Sequence, residues 1–134
     1  MTTLYKTQAT ALAGRNGQVK TDDGLLDLEL SYPKEMGGTG AATNPEQLFA
    51  AGYSACFSNA ILHVAREGKV NLKSAPVTAE VGIGPNDNGG FALTVSLPLA
   101  AIDYAPPPSA TTLPSALAHQ VLPHGLSHAV LSHP

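Results

Sequence analysis

The first thirty residues alternate apolar and polar side chains with period two. Leu4-Tyr5-Lys6-Thr7-Gln8-Ala9-Thr10-Ala11-Leu12 predicts a strand. Gly14-Arg15-Asn16-Gly17 then predicts a tight hairpin turn of type I′, because Asn and Gly both tolerate the positive φ that such a turn requires. Arg15 is thereby placed near a hairpin tip. A second strand runs through Val19 to the turn Asp22-Asp23-Gly24, and Leu26, Leu28 and Leu30 alternate with Asp27 and Glu29 in a one-sided third strand.

The period changes after a loop containing Gly37, Gly38 and Gly40. Asn44-Pro45-Glu46 is a helix start: Asn caps free amides, Pro suits the first helical position, and Glu faces the positive end of the dipole. From Gln47 to Arg66 one row at i+4 spacing is Leu48, Gly52, Cys56, Ala60 and Val64, and its neighbour is Phe49, Tyr53, Phe57 and Ile61. With few charges before Arg66-Glu67, this helix is expected to be buried nearly all round. Gly68 is the expected stop. Val77 to Leu97 returns to period two, broken by Pro85-Asn86-Asp87-Asn88-Gly89-Gly90, which predicts a second hairpin. No internal repeat is present.

Composition sharpens this picture. A chain of 134 residues that is 43% hydrophobic is the size of one domain and can form a core. Seven basic against ten acidic residues leave no positive stripe for nucleic acid. No unbroken apolar run approaches the roughly 18 residues that span a bilayer, and Met1–Gln8 lacks the apolar segment of a signal peptide. No membrane association is expected. The single cysteine cannot form an internal disulfide, which fits a reducing compartment, so the expected location is the cytoplasm. After Leu97 the character changes: Lys73 is the last basic and Asp103 the last acidic residue, prolines cluster, and four of five histidines fall in this tail. Only Ala110 to Val121 could hold a short helix there.

Cys56 is the leading chemical candidate; its bland alternative is a small buried hydrophobe. A thiol becomes a nucleophile when a nearby cation or helix N-terminus favours its thiolate. Cys56 lies too deep in its helix for the dipole alone, so a cation is required. The arginines are Arg15 and Arg66. Arg66 is ten residues away, roughly 15 Å along the same axis, which leaves Arg15; its alternative is a solvated turn residue. Glu46 is explained by the helix dipole without any catalytic role. The Gly37-Gly38-Thr39-Gly40 loop lacks the Lys of a phosphate-binding loop. His124, His128 and His133 have no carboxylate or cysteine to complete a metal site. No cofactor and no metal are expected.

Ala42-Thr43-Asn44-Pro45-Glu46-Gln47-Leu48-Phe49-Ala50-Ala51-Gly52-Tyr53-Ser54-Ala55-Cys56-Phe57 resembles the active-site helix of the organic hydroperoxide resistance proteins of the Ohr/OsmC family. The segments Gly14–Gly17, Asp22–Gly24, Pro33–Gly38 and Val81–Asp87 are similar too, so the likeness covers roughly residues 4 to 97, and Ser-Ala-Cys-Phe with Gly-Pro-Asn-Asp favours the Ohr branch. The resemblance implies an α+β OsmC-like fold in one domain over 1–134, with two antiparallel sheets around long central helices, in an intertwined homodimer. It implies a thiol peroxidase acting on organic and fatty-acid hydroperoxides. Cys56 would be the peroxidatic cysteine, Arg15 its activating cation and Glu46 the carboxylate that holds the arginine. A lipoylated protein or another dithiol would be the reductant. Leu48, Phe49, Tyr53, Phe57 and Met36 are candidates for an apolar pocket. With Glu46 and Cys56 about 15 Å apart on one helix, a site composed across a dimer is the simpler arrangement.

One departure is marked. The family carries a resolving cysteine in a His-x-Val-Cys-Pro-Tyr segment, whereas here His119-Gln120-Val121 is followed by Leu122-Pro123-His124, and no closing C-terminal strand is recognisable. The expected alternatives are an impaired paralogue limited to single-turnover chemistry, or an apolar-ligand binding or sensing module on the same fold. The changed composition of residues 98–134 also fits a shifted reading frame, which the coding nucleotides would test.

Overall fold

The computed structural model describes residues 1–98 and 131–132. The expected tail helix at Ala110–Val121, Leu122, and the histidines 119, 124, 128 and 133 lie outside the described residues. In chain order the elements are β1 (Ala9–Leu12), β2 (Gln18–Thr21), β3 (Asp27–Glu29), α1 (Pro45–Glu67), β4 (Glu80–Pro85), β5 (Phe91–Ser96) and β6 (Leu131–Ser132). Two compact units are present, Met1–Leu48 and Phe49–Pro134.

In the first unit, β1, β2 and β3 form an antiparallel sheet in that order, with Ala9 opposite Thr21, Leu12 opposite Gln18, and Val19 opposite Leu28. β1 is shorter than the alternation predicted. The Asp22 N–H bonds the Gln8 carbonyl and the chain then turns at Asp22–Gly24, so Leu4–Gln8 have no β2 residues left to pair with. Leu4 and Tyr5 are exposed. The β1–β2 connection also differs from a two-residue Asn-Gly turn. Positive φ falls at Ala13 (55°) and Gly14 (57°), and Gly14–Asn16 form one 3₁₀ turn. Gly17 is required by close approach: a Cβ there would lie 1.5 Å from the Leu12 carbonyl oxygen. Of the alternating leucines, Leu30 becomes core while Leu28 stays 38% exposed.

α1 begins as its sequence dictates. The Asn44 side-chain oxygen accepts the Gln47 N–H at 2.9 Å, closing an orphan donor of the first turn. The other end differs from expectation. Lys69, not Gly68, takes the left-handed conformation at φ 57°, with the Val70 N–H bonding the Ala65 carbonyl and the Lys69 N–H bonding that of Arg66. These two bonds define a Schellman cap with lysine where glycine is usual.

In the second unit β4 and β5 form an antiparallel hairpin, Glu80 opposite Ser96 and Pro85 opposite Phe91. The Asn86 side-chain oxygen organises its turn by accepting the N–H groups of Asn88 and Gly90. β6 pairs with β5, Leu131 opposite Leu93, which adds a two-residue third strand to this sheet. No periodicity marks it because two residues are too few to show one. Ile61, Ala65, Ala75 and Val95 form the buried core of this unit. The Ser58 hydroxyl donates to the Ala75 carbonyl at 2.5 Å, tying α1 to the segment that follows it.

The expectation that α1 is buried nearly all round is corrected. Tyr53, Phe57 and Ile61 lie on a covered side, and Phe49 stacks on Tyr53 with ring centroids 5.8 Å apart. Ala51, Gly52, Ala55, Cys56, Asn59 and Ala60 are exposed. By length and composition α1 is apolar enough to cross a membrane, yet little of it is buried within the chain. A search for unbroken apolar runs overlooks such a helix, because interspersed Ser, Gly and Asn lower the mean hydropathy only slightly.

Candidate active site

Arg15 and Glu46 are thirty-one residues apart in sequence and meet in the first unit as a two-pronged pair. Arg15 Nη1 donates to Glu46 Oε2 at 2.7 Å and Nη2 to Oε1 at 2.5 Å. The side chains are 22% and 11% exposed. Two parallel charge-assisted bonds fix the plane of the guanidinium as well as its position. Arginine has five N–H donors, and among the described residues no other acceptor bonds the remaining three. The Arg15 hydrogen bonds hold the Glu46 carboxyl below its usual range, against the opposing effect of burial. The same bonds raise the Arg15 guanidinium above its usual value, with the Tyr32 phenol adding a smaller Coulomb contribution. The cation is therefore permanent. Glu46 is thus more than a dipole-facing carboxylate of the first turn, and Arg15 is not a solvated tip residue.

Each partner is delivered by local structure. Arg15 sits at the centre of the Gly14–Asn16 turn. Its neighbour Asn16 accepts the Tyr32 N–H on its side-chain oxygen at 3.3 Å, and the Gly17 carbonyl accepts the Leu30 N–H at 2.8 Å. The glycine-rich loop that follows closes on itself: the N–H groups of Gly37, Gly38 and Gly40 bond the carbonyls of Lys34, Pro33 and Tyr32. Its amides are engaged internally rather than turned toward an anion.

Cys56 lies on α1 ten residues beyond Glu46, and within the single chain its thiol is free and exposed rather than packed in the core. Arg66 is exposed in the last turn of the helix. Of the apolar pocket candidates, Leu48, Phe49, Tyr53, Phe57 and Met36 are all partly exposed, and Phe49 and Tyr53 are brought together. Sequence reasoning missed Ser31, a buried hydroxyl just after Leu30. No sequence signal marks it, because Ser31 continues the polar phase of Asp27 and Glu29 in the alternating run and its burial depends on the chain that packs over it.

Comparison with known proteins places this geometry in context. The family model of OsmC-like proteins matches residues 38–105. An organic hydroperoxide resistance protein of Xanthomonas axonopodis pv. citri is 43% identical over 123 residues, covering 90% of this chain and 84% of that protein. An Acinetobacter baylyi protein is 53% identical over 95 residues, covering 70% of this chain. Among solved structures, a Vibrio cholerae relative with captopril bound in one of its active sites is 76% identical, with a TM-score of 0.70 over 72% of this chain. The chain spans about two thirds of these last two relatives, 66% and 67% of their lengths. Because the family model matches half of the chain and a relative 43% identical is matched over 90% of it, the chain belongs to the OsmC-like family.

Proposed function

We propose that this chain is a cysteine-based peroxidase that reduces organic hydroperoxides, fatty-acid hydroperoxides included, to alcohols and so serves in hydroperoxide resistance. The observation that carries the reading is the two-pronged Arg15–Glu46 pair, a fixed and permanently charged guanidinium whose other N–H donors have no acceptor among the described residues. The exposed thiol of Cys56 is the nucleophile. Its thiolate sulfur attacks the terminal oxygen of R–O–O–H and the O–O bond breaks. The alkoxide leaves with the bonding pair, while sulfur, oxidised by two electrons, becomes Cys56 sulfenic acid. Arg15 favours the thiolate before attack and stabilises the alkoxide as it forms, until a proton converts it to the alcohol. Glu46 holds the fork in its plane. A dithiol, such as that of a lipoylated protein, attacks the sulfenic sulfur and releases water, and its second thiol then frees the Cys56 thiol as the dithiol closes to a disulfide.

The working unit in this reading is a cytoplasmic homodimer of single-domain chains. The exposed, small-residue side of α1 supports this, since apolar surface of that length calls for a cover and small side chains let backbones approach closely. Arg15 and Cys56 would then be completed into one site across the two copies. An active, stable monomer in sedimentation would exclude that arrangement.

A second reading is favoured by one observation: the chain has one cysteine, and Leu122 stands where the family carries its resolving thiol. The sulfenic acid then has no internal partner, and the enzyme would be impaired after one turnover. Purified protein is treated with one equivalent of cumene hydroperoxide and followed by mass. Gain of one oxygen on Cys56, lost in Cys56→Ser and slowed in both Arg15→Ala and Arg15→Lys, is expected. Peroxide consumption that survives Cys56→Ser refutes the proposal.

A further inference from the structure

The Arg15–Glu46 pair can form only if the tip carrying Arg15 and the start of α1 carrying Glu46 are held in register, and both are held through one short extended segment, Leu30–Tyr32. On one side, this segment anchors the tip: the Leu30 N–H bonds the Gly17 carbonyl and the Tyr32 N–H bonds the Asn16 side chain, the two residues that follow Arg15. On the other side it anchors the chain entering α1. The Ser31 N–H bonds the Thr43 carbonyl at 2.9 Å, beside a parallel bridge between Leu30 and Thr43. The Ser31 hydroxyl then closes on both faces of one residue, accepting the Ala42 N–H at 2.9 Å and donating to the Ala42 carbonyl at 3.2 Å. Ser31 is 8% exposed, so these bonds compete with little water. Ala42 lies two residues before the Asn44 cap and four before Glu46.

We propose that Ser31 is a positioning residue for the Arg15–Glu46 pair: its hydroxyl clamps Ala42 and thereby sets the height at which the first turn of α1 presents Glu46 to Arg15. A hydroxyl suits the task because it is one donor and one acceptor on a single atom, and the Ala42 main chain offers the complementary acceptor and donor. The backbone bond from Ser31 to Thr43 and the Leu30–Thr43 bridge need no side chain. Loss of the hydroxyl therefore loosens the register without removing the connection. Catalytic relevance of the clamp rests on the peroxidase reading above; its effect on the Arg15–Glu46 pair does not.

The test is the titration of the Glu46 side-chain carboxyl carbon by NMR in the full chain. In Ser31→Ala the Glu46 midpoint should move up toward the ordinary carboxylate value as the Arg15 bonds lengthen. Ser31→Thr, which keeps the hydroxyl, should titrate as the wild type does. Should the alanine variant fail to fold, Ser31→Cys, nearly equal in size with a weakly bonding thiol, should move Glu46 in the same direction. An unmoved midpoint in a folded Ser31→Ala or Ser31→Cys chain overturns the proposal, as does a threonine variant that titrates like alanine. Single-turnover oxidation of Cys56 by cumene hydroperoxide should slow about three- to tenfold in Ser31→Ala and should show no further loss when Ser31→Ala is added to Glu46→Ala. Fully additive losses would mean that Ser31 acts elsewhere. If Cys56→Ser leaves peroxide consumption intact, the peroxidase reading falls while the Glu46 titration still decides the role of Ser31.

Discussion

Replacing Glu46 by glutamine keeps the volume and one acceptor but turns an amide NH₂ toward the Arg15 guanidinium, so one of the two short bonds becomes a meeting of donors. Two unit charges about 4 Å apart attract by about 4 kcal/mol at an effective dielectric of about 20. Desolvating a carboxylate that is 11% exposed and a guanidinium that is 22% exposed takes back much of that. A net loss of about 1–2 kcal/mol at pH 7 is expected, between the small value of an exposed pair and the larger cost of breaking a buried one. The sign of the pH dependence follows from the depressed Glu46 carboxyl. Its contribution is full above the unfolded-state value of about 4.3 and disappears as pH falls through the lower folded-state value. The stability gap between wild type and Glu46→Gln should therefore be widest at neutral pH, narrow below about pH 4.5 and close once Glu46 is protonated. Asp23 is also held below its usual range, first by the Leu25 N–H and then by the Thr21 hydroxyl, but equally in both proteins, so it cancels in the difference. Urea unfolding at a fixed protein concentration, from pH 7 downward, measures the gap. A gap of the same size at the lowest pH would show that glutamine disturbs packing rather than charge, and no gap at pH 7 would show that the pair contributes nothing to stability.

Lys69→Gly should raise stability by about 0.5–1 kcal/mol, because glycine occupies the left-handed cap without the Cβ penalty; a lower urea midpoint would count against the cap geometry. Gly17→Ala should cost at least about 2–3 kcal/mol, since its Cβ cannot share space with the Leu12 carbonyl and the backbone on either side of Arg15 must shift; an unchanged urea midpoint would refute the close approach. On the peroxidase reading proposed above, excess organic hydroperoxide should drive Cys56 from sulfenic to sulfinic and sulfonic acid, because no second cysteine among these 134 residues can intercept it as a disulfide. Sustained turnover with a lipoyl dithiol and no overoxidised mass would contradict that expectation.

The amino-acid sequence by itself determined the local features. The Asn44-Pro45-Glu46 start of α1 is a matter of orphan amides and proline geometry within four residues, and it formed where those rules put it. The β4–β5 hairpin and its Asn86 turn are equally local, and period two sufficed to find them. Within the site, Arg15 followed from the need for a cation near Cys56 and Glu46 only from the family resemblance, since by local rules one was a hairpin-tip residue and the other a dipole-facing carboxylate. Tertiary structure alone decided that they meet, because thirty-one intervening residues must fold before either side chain has the other as a partner. It also decided the turn at Ala13-Gly14. Asn16-Gly17 satisfies the turn rule in sequence, but the anchoring of Asn16 to Tyr32 and of Gly17 to Leu30 requires both residues outside the reversal itself. The same holds for the side of α1 that carries Cys56. Apolar composition predicted a helix covered nearly all round, whereas covering depends on which surfaces fold against it, and the chain covers the Tyr53, Phe57 and Ile61 side while leaving Gly52, Cys56 and Ala60 open. Periodicity records which residues can be buried; only the packed chain, through the partners it brings within reach, decides which of them are.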